Sequence, residues 1–209
     1  MAYSATKKPV HNRGIPPDSF LDELVRWGQT APAEIFAPNP YQDVYSSVVG
    51  VLGPWEGLHH RRAAMLEVMR VLAGFESSWK WREGTDQAAD KRAKKLRSPS
   101  EIEAGAWQVS ANSMGFGMEL KTLVLSKVGS LNANDFQRGM KQDHDLAMEY
   151  IARLLRRTVR HNGPVLRHEI DKWLRKDAVR EFQALLYSES STRAQDDDCV
   201  PQLRAAGGR

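Results

Sequence analysis

The sequence predicts a mainly α fold with a small irregular or β lobe, and three observations predict it. Apolar residues recur at helical spacing through most of the chain, in windows long enough for several amphipathic helices. One polar stretch, 83–100, lacks that period and reads as a mobile or irregular lobe with room for a weak strand pair. The chain has 209 residues, 41% hydrophobic and 27% charged, which suits one soluble domain with a well-buried core.

Each element has its own signal. Residues 1–17 carry Pro9, Gly14, Pro16 and Pro17 and read as an extended arm. Asp18 or Ser19 can cap a helix through Phe20, Leu21, Leu24, Val25 and Trp27, which Gly28 and Pro32 stop. The proline-rich 30–58 region reads as loop with one short helix over Val44 to Leu52. From His59 to Glu76, Ala63, Leu66, Met69, Val71, Leu72 and Phe75 make an apolar side broad enough for a central, mostly buried helix. Ser98-Pro99-Ser100-Glu101 is a turn, and 113–127 is a helix through Met118, Leu120, Leu123, Val124 and Leu125. The longest helix is expected from Asp135 to His161, closed by Asn162-Gly163-Pro164. One or two further helices reach Tyr187. Residues 188–209 have no period and read as a disordered tail behind an 18–187 folded domain.

Composition bounds the partners. A formal charge of +4 and a pI of about 9.2 fall short of the clustered charge of a nucleic-acid binder but suit a polyanion such as a peptide-bearing cell-wall glycan. No stretch approaches the ~18 consecutive apolar residues of a membrane span. The amino terminus lacks the apolar core of a secretory signal, so the reading is a protein made in the cytoplasm that something else exports. The single cysteine, Cys199, makes no intramolecular disulfide. Neither His59-His60 nor His168-Glu169 completes a metal-ligand pattern, so no metal and no cofactor is expected. His161 reads as a helix-end cation, the basic run 91–97 as a solvated face, and Trp27, Trp55 and Trp173 as core.

One stretch points to a chemistry. Ala73-Gly-Phe-Glu76-Ser-Ser-Trp79 puts a single carboxylate at the end of an apolar helix beside aromatic rings, and Glu103-Ala-Gly105-Ala-Trp107-Gln108 follows as a second polar turn. Burial disfavours a carboxylate's charge, and a carboxyl that keeps its proton near neutral pH can donate it to a leaving glycosidic oxygen. Trp79 and Trp107 offer flat faces for sugar rings. The alternative is that Glu76 simply ends an amphipathic helix at a solvated edge. Direct hydrolysis also needs a second carboxylate to activate water. Glu103 leads, being inside the second turn and flanked by small residues; Asp86 follows, then Glu83.

Glu76-Ser77-Ser78 at a helix end, followed by Gly105-Ala106-Trp107-Gln108, resembles the lysozyme-like superfamily, in the style of goose-type lysozymes and soluble lytic transglycosylases. The resemblance covers about residues 59–125. It implies a lysozyme-like helical domain in which Glu76 is the general acid, Ser77 or Ser78 orients it or the substrate, and Gln108 hydrogen-bonds the sugar or the attacking water. It implies a muramidase acting on the peptidoglycan glycan strand between N-acetylmuramic acid and N-acetylglucosamine. With no leader sequence, an antibacterial effector of a type VI secretion machine is expected, partnered by a periplasmic immunity protein. The alternatives are a phage endolysin, a lytic transglycosylase, a chitinase or chitosanase, and a non-catalytic interaction protein on the same scaffold. Glu101-Ile-Glu103, where transglycosylases carry small residues, is a departure.

Overall fold

Helix α3 (Leu58–Ser77) is the axis on which the other elements are assembled. In this computed structural model, which describes residues 3–84 and 98–188, every residue of α3 from Ala63 to Gly74 is buried. Around it lie α1 (Asp18–Thr30), α2 (Val44–Leu52), α6 (His144–Arg157) and α8 (Lys176–Ser188), with α8 making the most extensive contact. Helices α4 (Met118–Val128) and α5 (Ala133–Gln142) pack against α6, and a short α7 (Gly163–Leu166) precedes α8. The predicted mainly α fold with a small β lobe is what forms. The lobe is a two-stranded antiparallel hairpin, β1 (Glu103–Ala104) and β2 (Val109–Ser110), extended by a bridge from Gly84 to Ala104.

Three expectations change. The helix expected over 135–161 is two helices, because Asp143 leaves the helical conformation and its carboxylate accepts from the Leu146 N–H at 2.9 Å. An aspartate that can cap a new helix competes with continuation of the old one. The second helix also ends early, at Arg157, so His161 is no helix-end cation; burial holds its pKa below the ordinary value and disfavours the charged form. Gly28 does not stop α1 but lies inside it, where its missing side chain leaves room for Leu66 and Leu186. Asp86, the basic run 91–97, Cys199 and the expected disordered tail, apart from Ser188 at the end of α8, lie outside the described residues.

The arm is tied down. The N–H groups of Ser4, Ala5 and Thr6 and the Thr6 hydroxyl all donate to the carboxylate of Glu181 on α8, at 2.7–3.2 Å. Thr6 and Val10 are fully buried. At the centre of α3, Glu67 and Arg70 form an ion pair at 2.7 Å with both side chains fully buried. Arg70 also donates to the Lys8 carbonyl of the arm at 3.3 Å and to the Trp173 carbonyl at 3.5 Å, while Glu67 accepts from the Arg175 N–H at 3.0 Å. One buried pair therefore fixes the arm and the chain entering α8 side by side on the central helix. Among the described residues no helix is long and apolar enough to cross a membrane.

Candidate active site

The site begins with how α3 stops. After Ser77 two consecutive residues, Ser78 and Trp79, adopt the left-handed conformation, with φ of 57° and 61°. The Ser78 and Trp79 N–H groups return to the carbonyls of Gly74 and Ala73 at 3.1 and 3.2 Å. Left-handed backbone in a side-chain-bearing residue costs roughly 1–3 kcal/mol and persists only where the surroundings enforce it. Here they do. The Trp79 ring folds back onto α3, its indole N–H donates to the Arg70 carbonyl at 2.8 Å, and a Cβ on Gly74 would lie 2.5 Å from the ring. The chain thus reverses over one face of the helix end and leaves Phe75 and Glu76 half-buried at the edge.

The second turn is the loop of the β hairpin. Glu103 pairs with Ser110 and Ala104 with Val109, so Gly105-Ala106-Trp107-Gln108 is the four-residue connection. Gly105 has φ of 76°, and a Cβ there would meet the Met140 carbonyl oxygen at 2.6 Å, so no other residue fits without movement. Gln108, at φ of 46°, closes the loop by donating its side-chain amide to the Gly105 carbonyl at 2.7 Å. The Gly105 N–H in turn reaches the Glu83 carbonyl at 2.9 Å.

Ser77 joins the two turns. Its buried hydroxyl lies 2.8 Å from the Ala106 carbonyl oxygen and 3.1 Å from that of Ala73, and it accepts the Lys80 N–H at 3.1 Å. Its place is in the joint between α3 and the hairpin, not in a groove. Ser78 is the helix cap. Trp79 and Trp107 are only 4% and 2% exposed; Trp107 donates its indole N–H to the Met69 carbonyl at 2.9 Å. The faces expected to meet sugar rings are therefore packed against the protein, because both indoles serve main-chain carbonyls of α3.

The electrostatics of Glu76 follow from this setting. Burial pushes its carboxyl from the ordinary 4.5 up to about 7, and the Glu103 charge is the next contributor in the same direction. Glu169 adds to the rise, while Arg13 and Arg167 oppose it. Among the described residues no hydrogen bond reaches the Glu76 carboxyl, so its anion gains nothing from direct donation by them. Glu103 sits partly buried at the start of β1. Glu83 is paired with Lys80 at 3.4 Å. Among the described residues no group of His, Cys, Asp or Glu side chains is arranged to hold a metal ion.

No family model, curated protein or solved structure matches this chain. The chemistry is carried by the residues alone. A carboxyl that is half protonated near pH 7 can give its proton to an oxygen leaving group, and a neighbouring carboxylate can hold a cationic centre or a water.

Other residues gather here without a local sequence signal. His11 of the arm packs its ring edge-on against Phe75, with centroids 5.5 Å apart, and against Trp173 at 6.2 Å. Trp173, read from sequence as core, is only partly buried. Arg167 and Glu169 are paired at 2.7 Å on the loop between α7 and α8. Arg70, through the Lys8 and Trp173 carbonyls, holds the arm and the segment carrying Trp173 together on α3. Only the known three-dimensional route of the arm could have identified them.

Proposed function

We propose that this protein is a peptidoglycan glycoside hydrolase, a muramidase, with Glu76 as its general acid. Glu76 gives its proton to the glycosidic oxygen as the C1–O bond breaks, and the oxocarbenium-like centre that results is stabilised by the Glu103 carboxylate. Glu103 then takes a proton from the incoming water as the new C1–O bond forms. The observation that supports this reading is a half-buried Glu76 at the joint closed by Ser77, its carboxyl pushed up to about 7 first by burial and then by the Glu103 charge. The resemblance of Glu76-Ser77-Ser78 and Gly105-x-x-Gln108 to lysozyme-like enzymes supports the same reading. The glycan strand is the partner such a site calls for, and an immunity protein that covers Glu76 is the partner an antibacterial effector would add.

The test is clearing of purified wall sacculi by the wild-type protein and by Glu76→Gln. Loss of at least ~100-fold in rate is expected, since general acid catalysis contributes that much or more. Clearing that persists in Glu76→Gln rejects the assignment. Mass analysis of the products identifies the nucleophile: a reducing end signals water, and an anhydro ring signals the sugar's own hydroxyl.

A further inference from the structure

A surface cavity at the carboxyl-terminal end of α6, sharing no residue with the candidate active site, carries positive charge that the fold does not neutralise. Its volume is about 240 Å³, and Tyr41, Gln42, Phe116, Arg157, Thr158 and Arg160 line it. One turn earlier on the same helix, Arg153 draws Glu149 at 2.7 Å, Glu34 at 3.2 Å and Glu119 at 3.8 Å. Asp43, next to Gln42 in the chain, goes to Arg61 at 3.7 Å. Arg157 and Arg160 are left with no carboxylate within ion-pair distance among the described residues. Basic residues in the last turn of a helix ordinarily serve its carbonyl end. Arg157 instead donates through Nε to the Phe116 carbonyl at 3.1 Å, and Arg160 lies past the helix. The Arg157 guanidinium sits over the Tyr41 ring, 4.5 Å from its centroid, and Nη1 and Nη2 have no acceptor among the described residues. The Thr158 hydroxyl accepts the Arg160 N–H at 3.1 Å and keeps its own proton to donate. Tyr41 and Phe116 are exposed, and the Phe116 ring is set edge-on to His161 with centroids 5.8 Å apart. The cavity is smaller than the ~300–1,000 Å³ typical for drug-sized ligands, so it suits a compact group.

We propose that this cavity binds a phosphate monoester carried on a small apolar or aromatic body. Two uncompensated guanidiniums match the nearly double charge of such an ester at neutral pH better than the single charge of a carboxylate. Arg157 takes two phosphate oxygens through Nη1 and Nη2, a paired contact that a planar guanidinium makes and an ammonium does not. Arg160 and the Thr158 hydroxyl supply further donors, and the Phe116 ring receives the apolar body. The site stands apart from Glu76 and does not depend on the muramidase reading.

The experiment is titration calorimetry of the full chain at fixed ionic strength and about pH 7.5, where the ester is close to a dianion. The probes are phenyl phosphate, inorganic phosphate, which lacks the ring, and benzoate, which carries one charge. Phenyl phosphate should bind more tightly than either of the others. Arg157→Gln should weaken it by about tenfold or more, with Arg157→Lys recovering only part of the loss. Arg160→Gln should weaken it by about threefold or more; the Arg160 side chain makes no hydrogen bond or ion pair among the described residues, so this variant reports even if Arg157→Gln does not fold. Phe116→Ala should bring phenyl phosphate down to the level of inorganic phosphate and leave inorganic phosphate unchanged. Arg26→Gln removes an exposed arginine of α1 outside the cavity and should change neither. The site is overturned if the wild-type protein does not bind phenyl phosphate, if benzoate binds as tightly, or if Arg26→Gln weakens binding as much as Arg160→Gln does. Inorganic phosphate binding as tightly as the ester would make free phosphate the ligand and overturn the role given to Phe116.

Discussion

Replacing Glu76 with glutamine should abolish lysis and, above neutral pH, stabilise the fold. In the folded protein the Glu76 carboxyl keeps its proton up to about 7, whereas in the unfolded chain it releases the proton near the ordinary value of 4.5. Between those values the folded state binds more protons than the unfolded state, so stability falls as pH rises. The contribution of the protonated carboxyl is fully present below 4.5 and is lost by the time pH has passed through 7. At 1.36 kcal/mol for each pH unit separating the two states, the loss is about 3 kcal/mol. Glutamine has the same shape and no charge to desolvate. The unfolding free energy of Glu76→Gln minus that of wild type should therefore be near zero at pH 4 and rise by about 3 kcal/mol by pH 8. In a chain of this size that is a difference in melting temperature of roughly 6–12 °C. Urea denaturation of both proteins from pH 4 to 8 measures it, and subtracting the curves removes every group that titrates alike in the two. A difference that stays flat across the range refutes the claim that burial governs this carboxyl.

Three further outcomes follow from the same geometry. Glu103→Gln removes the largest charge that raises Glu76, so the Glu76 titration midpoint, followed by carboxyl NMR, should drop below 7 while burial keeps it above 4.5. Ser77→Ala leaves the Ala106 carbonyl and the Lys80 N–H without the hydroxyl that serves both. It should cost about 1–3 kcal/mol in urea unfolding and lower kcat more than it raises KM, because it loosens the acid against the hairpin. Glu67→Gln strands the fully buried Arg70 charge and should cost about 3–5 kcal/mol by denaturation; a loss below 1 kcal/mol would mean that the pair does not hold the arm.

The helices were legible where burial imposes a period. Helix α3 came out within a residue at each end because its apolar positions are dense and Gly74 lies near its exit, and α2 matched in full. The break at Asp143 was hidden because apolar residues on both sides continue in phase, and only the reach of Asp143 to the Leu146 N–H marks it. Strands of two residues are too short for alternation to declare itself, so the hairpin was visible only through Gly105. In the candidate site, the burial of Glu76 could be read because it follows the apolar run that ends in Phe75. The roles of Trp79 and Trp107 could not, since ring orientation depends on left-handed backbone at Ser78 and Trp79 that no pattern announces. His11 and Trp173 come together where Arg70 holds the Lys8 and Trp173 carbonyls, and those segments lie far apart in the chain.

The two buried indoles make the joint observable. Trp79 and Trp107 each donate to a carbonyl of α3, at Arg70 and Met69, one from the chain leaving the helix and the other from the hairpin. Detachment of the hairpin from the helix end would expose the Trp107 ring to water while much of the helical content remained. Tryptophan emission should then shift to the red before far-ultraviolet circular dichroism changes. The order of those two signals along a denaturant series would report whether the acid and its neighbour separate as a local event or only when the whole domain unfolds.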